Sequence, residues 1–219
     1  MLTDTAPAAH SLLTEPLMRR MWPHGDSRIP GLIAGIVAAA PIVLPKYGVI
    51  SPLALANMMG EFTEECGGGA EVEENLNYRA SVLHAQWPKH FTVQQALQMQ
   101  HNPRAIANQA YNGRMGNRVG TDDGWNYRGR GGSQLTGRDN YGRLGEFMKL
   151  DLLGHPELVN DPQHFLECAV ADFVHLCGCL PYAARDDEVR ETDALNGGLI
   201  GFAQRKASIA IWKHALGVR

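Results

Sequence analysis

Apolar residues along the chain recur mostly at intervals of three and four, which is the spacing of one face of an α-helix. In the clearest segment, SPLALANMMGEFTEECGGG, Ser51 is the predicted N-cap, Pro52 the first helical residue, and three glycines the stop. Similar spacing occurs near residues 92–101, 103–111, 138–149, 161–177 and 200–216. Because the alternation typical of strands is nearly absent, the sequence predicts a mostly α fold.

The longest apolar run, IPGLIAGIVAAAPIVLPKYG, is predicted to form a buried helix. Pro41 interrupts it, and the uninterrupted part is shorter than the roughly 18 to 20 residues that span a bilayer. The N-terminal residues show no basic-then-apolar order, so they do not indicate a secretory signal. We therefore expect a cytoplasmic protein without stable membrane insertion.

Composition narrows the possible functions further. The formal net charge is -3, which argues against a surface that binds nucleic acid over its whole extent. Four cysteines are too few and too unevenly spaced for a disulfide framework. Zinc at Cys177 and Cys179 is the alternative, but no second ligand pair stands at a suitable spacing. We predict free thiols, no metal and no cofactor.

Two long irregular stretches, residues 66–80 and 112–135, interrupt the helical pattern, and loops of this length are usually functional or disordered. The charges segregate around them. Six glutamates and no basic residue lie between Glu61 and Asn75, whereas seven arginines and three aspartates lie between Arg104 and Arg143. We expect the acidic and the arginine-rich segments to face each other across a cleft.

The segment YRGRGGSQLTGRDNYG at residues 127–142 is both flexible and cationic. Three kinds of ligand are considered for it: a phosphate, a single-stranded RNA and a saccharide. A phosphate-binding P-loop would require GxxxxGK[ST] after a strand, and neither is present. Interleaved arginine and glycine can bind single-stranded RNA, although one short element in an acidic protein supports this weakly. The third alternative is a saccharide, with the arginines bracing the loop from behind.

The glutamates favour the saccharide. Hydrolysis of a glycosidic bond requires one carboxylic acid to protonate the leaving oxygen and a second carboxylate to activate water or attack carbon. Glu65 and Glu74 flank the glycine break, where a chain reversal could bring both to one groove. Glu61, one helical turn before Glu65, is a reserve candidate. The alternative is that all six glutamates form a solvated face.

Three stretches, EECGGGAEVEENLNY, YRGRGGSQLTGRDNYGRLGE and LNGGLIGFAQR, resemble in that order the signatures of the family 19 glycoside hydrolases, the plant-type chitinases and related phage endolysins. The resemblance covers about residues 45–216. It implies a lysozyme-like, two-lobed helical domain with a substrate cleft and long Gly/Arg-rich loops. The expected organisation is one catalytic domain over residues 1–219, in which residues 1–25 form a loosely packed N-terminal segment.

The resemblance implies that Glu65 is the general acid, that Glu74 is the general base, and that Thr136 helps to hold the attacking water. Partial desolvation of Glu65 at a helix end would raise its pKa and keep it protonated, whereas Glu74 in a polar loop would stay ionised. Such a site, with room for water, implies inversion at the anomeric carbon. Thr136 also fits the N-cap of the following helix, and both roles can coexist.

Further positions are predicted to contact substrate. The resemblance implies this for Gln134, Asn140, Asn196 and Arg205. Asn140 and Asn196 also fit turn or capping roles. Tyr78 and Tyr127 are candidates for stacking on sugar rings, with core packing as an equal alternative. The chain departs from the family pattern at Glu64 and Cys66, beside the predicted acid.

A chain without an evident signal peptide or disulfides resembles phage or prophage endolysins more than secreted chitinases. We therefore expect a monomeric muramidase that cuts peptidoglycan glycan strands, does not bind nucleic acid, and stays in the host cytoplasm until a holin releases it to the periplasm and cell wall. The alternatives are a chitinase acting on N-acetylglucosamine polymers, a non-catalytic glycan-binding protein and an RNA-binding protein.

Overall fold

The computed structural model describes residues 8–218. Helix accounts for 59% of the chain, and no strand occurs in residues 8–218, so the predicted mostly α fold is confirmed. The α-helices of the described part are α1 Ala9–Leu12, α2 Glu15–Met21, α3 Leu32–Lys46, α4 Pro52–Glu65, α5 Ala80–Gln86, α6 Val93–Met99, α7 Pro103–Tyr111, α8 Asp123–Asn126, α9 Arg138–Met148, α10 Phe165–Ala171, α11 Leu180–Ala183, α12 Glu188–Asn196 and α13 Phe202–Ala215. Short 3₁₀ turns cover Gly67–Gly69 and Pro156–Asn160, and a π turn covers Asp172–Leu176.

The helices predicted from periodicity are present. Helix α4 begins as predicted, because the Ser51 hydroxyl accepts the Ala54 amide at 3.1 Å and Pro52 takes the first position. The segment 161–177 begins later than expected, with α10, and continues as the π turn, in which the Cys177 amide donates to the Asp172 carbonyl at 2.9 Å. The sequence did not predict α1, α2, α5, α8, α11 or α12.

The described chain divides into two compact units. Unit 1 takes in the chain up to Val72, Gly131–Gln134 and the chain from Leu158 onward. Unit 2 takes in Glu73–Arg130 and Leu135–Glu157. The prediction of one catalytic domain stays a prediction.

Unit 1 is organised around α4, in which every residue from Ala54 to Phe62 is buried. Helix α13 packs on it so closely that a Cβ at Gly60 would lie 2.6 Å from the Ile209 Cα, which only glycine avoids. One hydroxyl also joins distant parts of this core. Thr63 accepts the indole N–H groups of Trp22 at 2.9 Å and of Trp212 at 2.8 Å. These contacts fix the direction of the helix that ends at Glu65.

The N-terminal segment is packed, contrary to the prediction, over the part that the structure describes. Ala9, Leu13, Met18 and Trp22 are each no more than 2% exposed. The Trp22 ring lies against Gly68, where a Cβ would come within 3.2 Å of it. Residues 8–25 therefore contribute buried side chains to the core of unit 1. Residues 1–7 of the predicted segment lie outside the described range.

The apolar run forms α3, so the predicted helix is confirmed, but it is only partly buried, since Ile42 is 73% exposed. The helix continues through Pro41 and Pro45, while Leu32, Ile33, Ile36 and Leu44 are buried. None of the helices in residues 8–218 has the length and apolar character needed to cross a membrane.

Unit 2 has its own apolar core, to which α5, α6 and α7 contribute. Helix α8 meets α7 at Gly124, where a Cβ would lie 2.6 Å from the Ala107 carbonyl oxygen. The fully buried members of the core are Leu76, Leu83, Phe91, Ala96, Ile106, Ala107 and Ala110. This packing holds the end of α7, and with it Tyr111, next to the loop that carries Glu74.

Candidate active site

Glu65 is the last residue of α4, and the glycines after it end the helix abruptly. Gly67, Gly68 and Gly69 have φ values of +55°, +60° and +85°, a left-handed run that residues with a Cβ rarely adopt. The adjacent Cys66 is fully buried, and its thiol donates to the Phe62 carbonyl at 3.0 Å. The Glu65 side chain is 14% exposed, so its carboxyl is largely removed from water without being sealed off.

One guanidinium joins two carboxylates of α4. Arg205 of α13 reaches Glu65 Oε1 through Nη2 at 2.6 Å and Glu61 Oε2 through Nη1 at 2.5 Å. Glu61 is fully buried, and its second oxygen accepts the Thr192 hydroxyl at 2.5 Å. The predicted acid, the reserve candidate and the distal arginine therefore form one cluster within unit 1.

Burial raises the pKa of Glu65, and the Arg205 guanidinium opposes this shift. The nearby carboxyls of Glu61 and Glu64 raise the pKa of Glu65 further. The predicted desolvation of this carboxyl is confirmed in direction. Glu64 itself is exposed, and its carboxyl accepts the Ser208 hydroxyl.

Asn196 and Arg205 are joined through one backbone carbonyl. Asn196 ends α12, and its side-chain amide donates to the Ile200 carbonyl at 3.2 Å, while Arg205 Nε donates to the same oxygen at 3.4 Å. Gly197, next in the chain, has φ +65° and allows the turn. The turn role considered for Asn196 is therefore present, and its contact with substrate stays a prediction.

Gln134 lies in the short piece of the arginine-rich loop that belongs to unit 1. Its φ is +54°, which is unusual for a residue other than glycine. Its side-chain amide donates to the carbonyls of Glu71 and Gly131, each at 3.2 Å. These bonds hold Gln134 in place, and its predicted role in binding substrate remains a prediction.

Glu74, in unit 2, is held by different chemistry. Its Oε1 accepts the Tyr111 hydroxyl at 2.5 Å, its Oε2 accepts the Gly129 amide at 3.4 Å, and its own amide donates to the Gly129 carbonyl at 3.0 Å. The predicted polar surroundings of Glu74 are present, but burial raises its pKa, and its ionised state stays a prediction. The two hydrogen bonds oppose that rise, since they stabilise the ionised form.

The arginines brace the glycine-rich loop, as predicted. Arg128 donates to the Trp125 carbonyl at 2.6 Å, and its guanidinium lies 3.6 Å from the centre of the Trp125 ring. Arg130 donates to the Asn126 carbonyl at 2.6 Å. Both arginines also pair with Glu73, so acidic and arginine-rich segments do meet within unit 2.

Thr136 does not cap α9. Gly137 occupies the N-cap position with φ 92° and no side-chain hydrogen bond, so the N-cap interpretation of Thr136 is wrong. The Thr136 carbonyl accepts the Asn140 side-chain amide at 2.9 Å, which turns Asn140 toward its own helix. The roles of Thr136 in holding water and of Asn140 in contacting substrate stay predictions.

Of the two tyrosines considered for stacking, Tyr127 is a core residue. It is 6% exposed, its hydroxyl donates to the Leu153 carbonyl at 3.0 Å, and its ring packs on Tyr141. The prediction that Tyr127 stacks on a sugar is therefore wrong, and its ring packs in the core instead. Tyr78 is only partly buried and meets Trp87 edge-on, with ring centres 5.4 Å apart, and its stacking role stays a prediction.

Sequence reasoning missed three residues of these clusters: Tyr111, Thr192 and Glu191. Tyr111 ends a helix that was predicted, but nothing in its local pattern indicates a carboxylate partner. Thr192 and Glu191 lie in α12, which periodicity did not reveal. Glu191 is fully buried, and within residues 8–218 neither oxygen of its carboxyl has a hydrogen-bond partner. Burial raises the pKa of Glu191 to about 9, with Glu61 as a further cause.

The cysteines are all unpaired thiols. Cys179 donates weakly to the Glu191 carbonyl and Cys177 to the Asp172 carboxyl, each at 3.7 Å. Within the described range, no group of three or more His, Cys, Asp or Glu side chains is arranged to hold a metal ion.

Known proteins resemble this chain in sequence and in fold, although no established protein-family model matches it. A Haemophilus influenzae protein described as a glycosyl hydrolase family 19 domain-containing protein is 30% identical over 196 residues, which cover 89% of this chain and 92% of the relative. This chain therefore covers nearly the whole of that relative.

Solved structures share the fold. Chitinase C from Streptomyces griseus HUT6037 has a TM-score of 0.58 at 18% identity, with coverage of 94% of this chain and 93% of that one. A bacterial family 19 chitinase has a TM-score of 0.61 at 21% identity, with coverage of 95% and 96%. The sequence match over 89% of this chain, together with the shared fold, confirms the resemblance of the three motifs: the chain belongs to glycosyl hydrolase family 19 and is a glycoside hydrolase.

Proposed function

We propose that the protein is an endolysin-type muramidase that hydrolyses the β-1,4 bonds of peptidoglycan by inversion, with Glu65 as general acid and Glu74 as general base. The observation that carries the proposal is the Glu65 carboxyl, largely buried at a helix end and held by Arg205 at 2.6 Å. A raised pKa keeps such a carboxyl protonated closer to neutral pH, which a general acid requires.

In the proposed reaction Glu65 gives its proton to the bridging oxygen while the bond from that oxygen to the anomeric carbon breaks. A water molecule attacks the same carbon from the opposite face, and Glu74 takes the proton that the water loses. The Thr136 hydroxyl holds this water. The sum is one bond hydrolysed with inversion, after which proton exchange with solvent restores both carboxyls.

Glu74 suits the role of base because its neighbours favour its charged form. The Tyr111 hydroxyl and the Gly129 amide both donate to its carboxyl, and both oppose the effect of burial on its pKa. A carboxylate that stays ionised can accept the proton that the attacking water loses as its oxygen bonds to the anomeric carbon.

The second candidate is a chitinase that acts on N-acetylglucosamine polymers. The solved structures that share the fold favour it, since they are named chitinases. Both substrates have β-1,4-linked N-acetylated sugars, so the same two carboxyls serve either reaction. The difference lies in whether the sugar that ends as the new reducing end is muramic acid.

The proposal includes a monomeric enzyme whose partner is the glycan strand, and which stays in the host cytoplasm until a holin releases it. It does not include a nucleic-acid partner. The guanidinium groups of Arg128 and Arg130 are buried and used on backbone carbonyls and on Glu73, which leaves little of either cation for a phosphate backbone.

The test is mass spectrometry of peptidoglycan digested by the protein, run beside a chitin oligomer. New reducing ends on muramic acid support the muramidase, and products from chitin alone support the chitinase. Glu65→Gln should lower the rate by roughly 10²- to 10⁴-fold, the usual contribution of a general acid.

The matched control is Glu64→Gln, the same change at the next residue, where the carboxyl is exposed. It should retain activity within about twofold. A Glu65→Gln protein as active as wild type would exclude the proposed mechanism, and absence of products from both glycans would leave only a binding protein.

A further inference from the structure

Glu61 is a fully buried carboxylate that the proposed reaction does not use. It lies one helical turn before Glu65 on the same face of α4. An unpaired buried carboxylate is costly, so its retention requires a partner, and the partner is the arginine that also pairs with Glu65.

Arg205 is fixed from three sides. Its two terminal nitrogens are divided between the carboxyls, with Nη1 on Glu61 at 2.5 Å and Nη2 on Glu65 at 2.6 Å. Its Nε donates to the Ile200 carbonyl at 3.4 Å. Glu61 is itself anchored, because Thr192 donates to its other oxygen at 2.5 Å. The guanidinium therefore cannot move wholly to Glu65 without breaking its buried bond to Glu61 and straining its bond to the Ile200 carbonyl.

The single positive charge of Arg205 is thus shared by two carboxyls, those of Glu61 and Glu65, that are both largely buried. A cation that pairs closely with one carboxylate exerts a weaker net attraction on the second, because the first carboxylate repels the second. The other titratable groups near this cluster in the described chain are Glu64, Cys66, Cys177, Cys179, Asp186, Glu188, Glu191 and Lys213. Among them Glu64 is exposed and Glu191 has no hydrogen-bond partner within residues 8–218.

We propose that Glu61 is a positioning residue, which holds Arg205 in place and offsets its charge so that Glu65 keeps the proton it gives to the substrate. The inference rests on the proposed role of Glu65 as general acid. Glu61 does not touch the reacting atoms, and it acts only through Arg205.

The decisive variant is Glu61→Gln, which keeps the shape of the side chain and removes its charge. The negative charge of Glu61 then no longer offsets the positive charge of Arg205, so the ionised form of Glu65 is favoured more than in wild type. Carbon-13 NMR of the Glu65 carboxyl should show its titration midpoint lower by about one pH unit than in wild type. In the pH profile of kcat, the high-pH limb should move down by the same amount, which is about a tenfold loss of rate above that limb.

Two further variants separate charge from structure. Glu61→Asp keeps the charge but shortens its reach, so it should shift the midpoint in the same direction by a smaller amount, and it replaces the test if Glu61→Gln does not fold. Glu64→Gln removes an exposed charge beside Glu65, so its shift should be small and should vanish in about 0.5 M salt, because solvent screens exposed charges.

The outcomes are separable. An unchanged midpoint in a folded Glu61→Gln or Glu61→Asp protein overturns the inference, whatever the activity. Wild type that cleaves neither glycan overturns the proposed function, while the NMR midpoint still decides whether Glu61 controls the proton on Glu65. A loss of thermal stability without a shift assigns Glu61 a structural role only, and that result also contradicts the inference.

Discussion

Glu65 in unit 1 and Glu74 in unit 2 are both partly withdrawn from water, yet their carboxyls are held by different partners. Glu65 is paired with a permanent cation, Arg205, and has two carboxyls nearby on its own helix. Glu74 is held by a neutral hydroxyl from Tyr111 and by the Gly129 amide. Burial raises the pKa of both, so burial alone does not distinguish the proposed acid from the proposed base.

The groups that neighbour the two carboxyls differ. Glu61 and Glu64 repel a negative charge on Glu65 and so favour its protonated form, against the attraction of Arg205. The partners that contribute at Glu74 are hydrogen-bond donors, which favour its charged form. Burial is the largest cause at both carboxyls, and only at Glu65, the proposed acid, do nearby carboxyls add to the rise in pKa.

The largest expected effect comes from removing the positive charge of Arg205, which pairs with both Glu61 and Glu65. Arg205→Gln leaves the buried Glu61 without its ion pair, and breaking a buried pair on one side costs about 3–5 kcal/mol. Chemical denaturation should show this loss. In any folded fraction the pKa of Glu65 should rise, because the attraction that lowers it is gone, so the high-pH limb should move to higher pH.

The control for this variant is Lys206→Gln, which removes the next cation of α13. Lys206 is 64% exposed, with its ammonium 3.7 Å from Glu188, so its removal should change stability by no more than about 0.5 kcal/mol. An equally mild effect of Arg205→Gln would show that Arg205 does not compensate buried charge.

Glu191 is a third buried carboxyl, and within residues 8–218 no group donates a hydrogen bond to either of its oxygens. Its pKa of about 9 lies above the ordinary value of 4.5, so at pH 7 it is protonated when folded and ionised when unfolded. Its contribution to stability therefore falls as pH rises from about 4.5 to about 9. Glu191→Gln should raise the free energy of unfolding at pH 7 by about 2 kcal/mol, measured by denaturant titration.

The gain from Glu191→Gln should shrink toward pH 4.5 and grow toward pH 9. Glu188→Gln on the same helix is the matched control. Its carboxyl is 14% exposed and pairs with Lys213 at 2.7 Å, so the same change there should destabilise the protein. If both variants behave alike, the isolation of Glu191 has no energetic meaning.

The smallest expected effect comes from removing the Tyr111 hydroxyl, which donates to Glu74. Tyr111→Phe removes the 2.5 Å hydrogen bond to Glu74, so the pKa of Glu74 should rise further. A base loses activity as pH falls through its pKa, so the low-pH limb of kcat should move to higher pH by about one unit.

Tyr47→Phe provides the comparison for Tyr111→Phe, since the Tyr47 hydroxyl donates to Glu167 at 3.0 Å in unit 1. It deletes the same kind of bond at a carboxyl other than the proposed base, so it should cost stability without shifting the low-pH limb of kcat. A low-pH limb that stays in place in Tyr111→Phe would show that Glu74 is not the base.

Local signals made several elements predictable. Ser51, Pro52 and the glycines from Gly67 bound α4 because capping and left-handed backbone depend on adjacent residues. The same glycines place Glu65 at a helix end. Helix α12 was missed because its few apolar residues give no stripe, although Glu191 and Thr192 are buried by the rest of unit 1.

The helical fold, the three family 19 motifs and the two candidate carboxyls follow from short-range spacing and residue type, so they can be read without a structure. What each carboxyl contacts depends on helix packing. Arg205 is 144 residues from Glu61 along the chain, and Tyr111 is 37 residues from Glu74. No local pattern encodes such pairs, since they arise when helix packing brings distant side chains together.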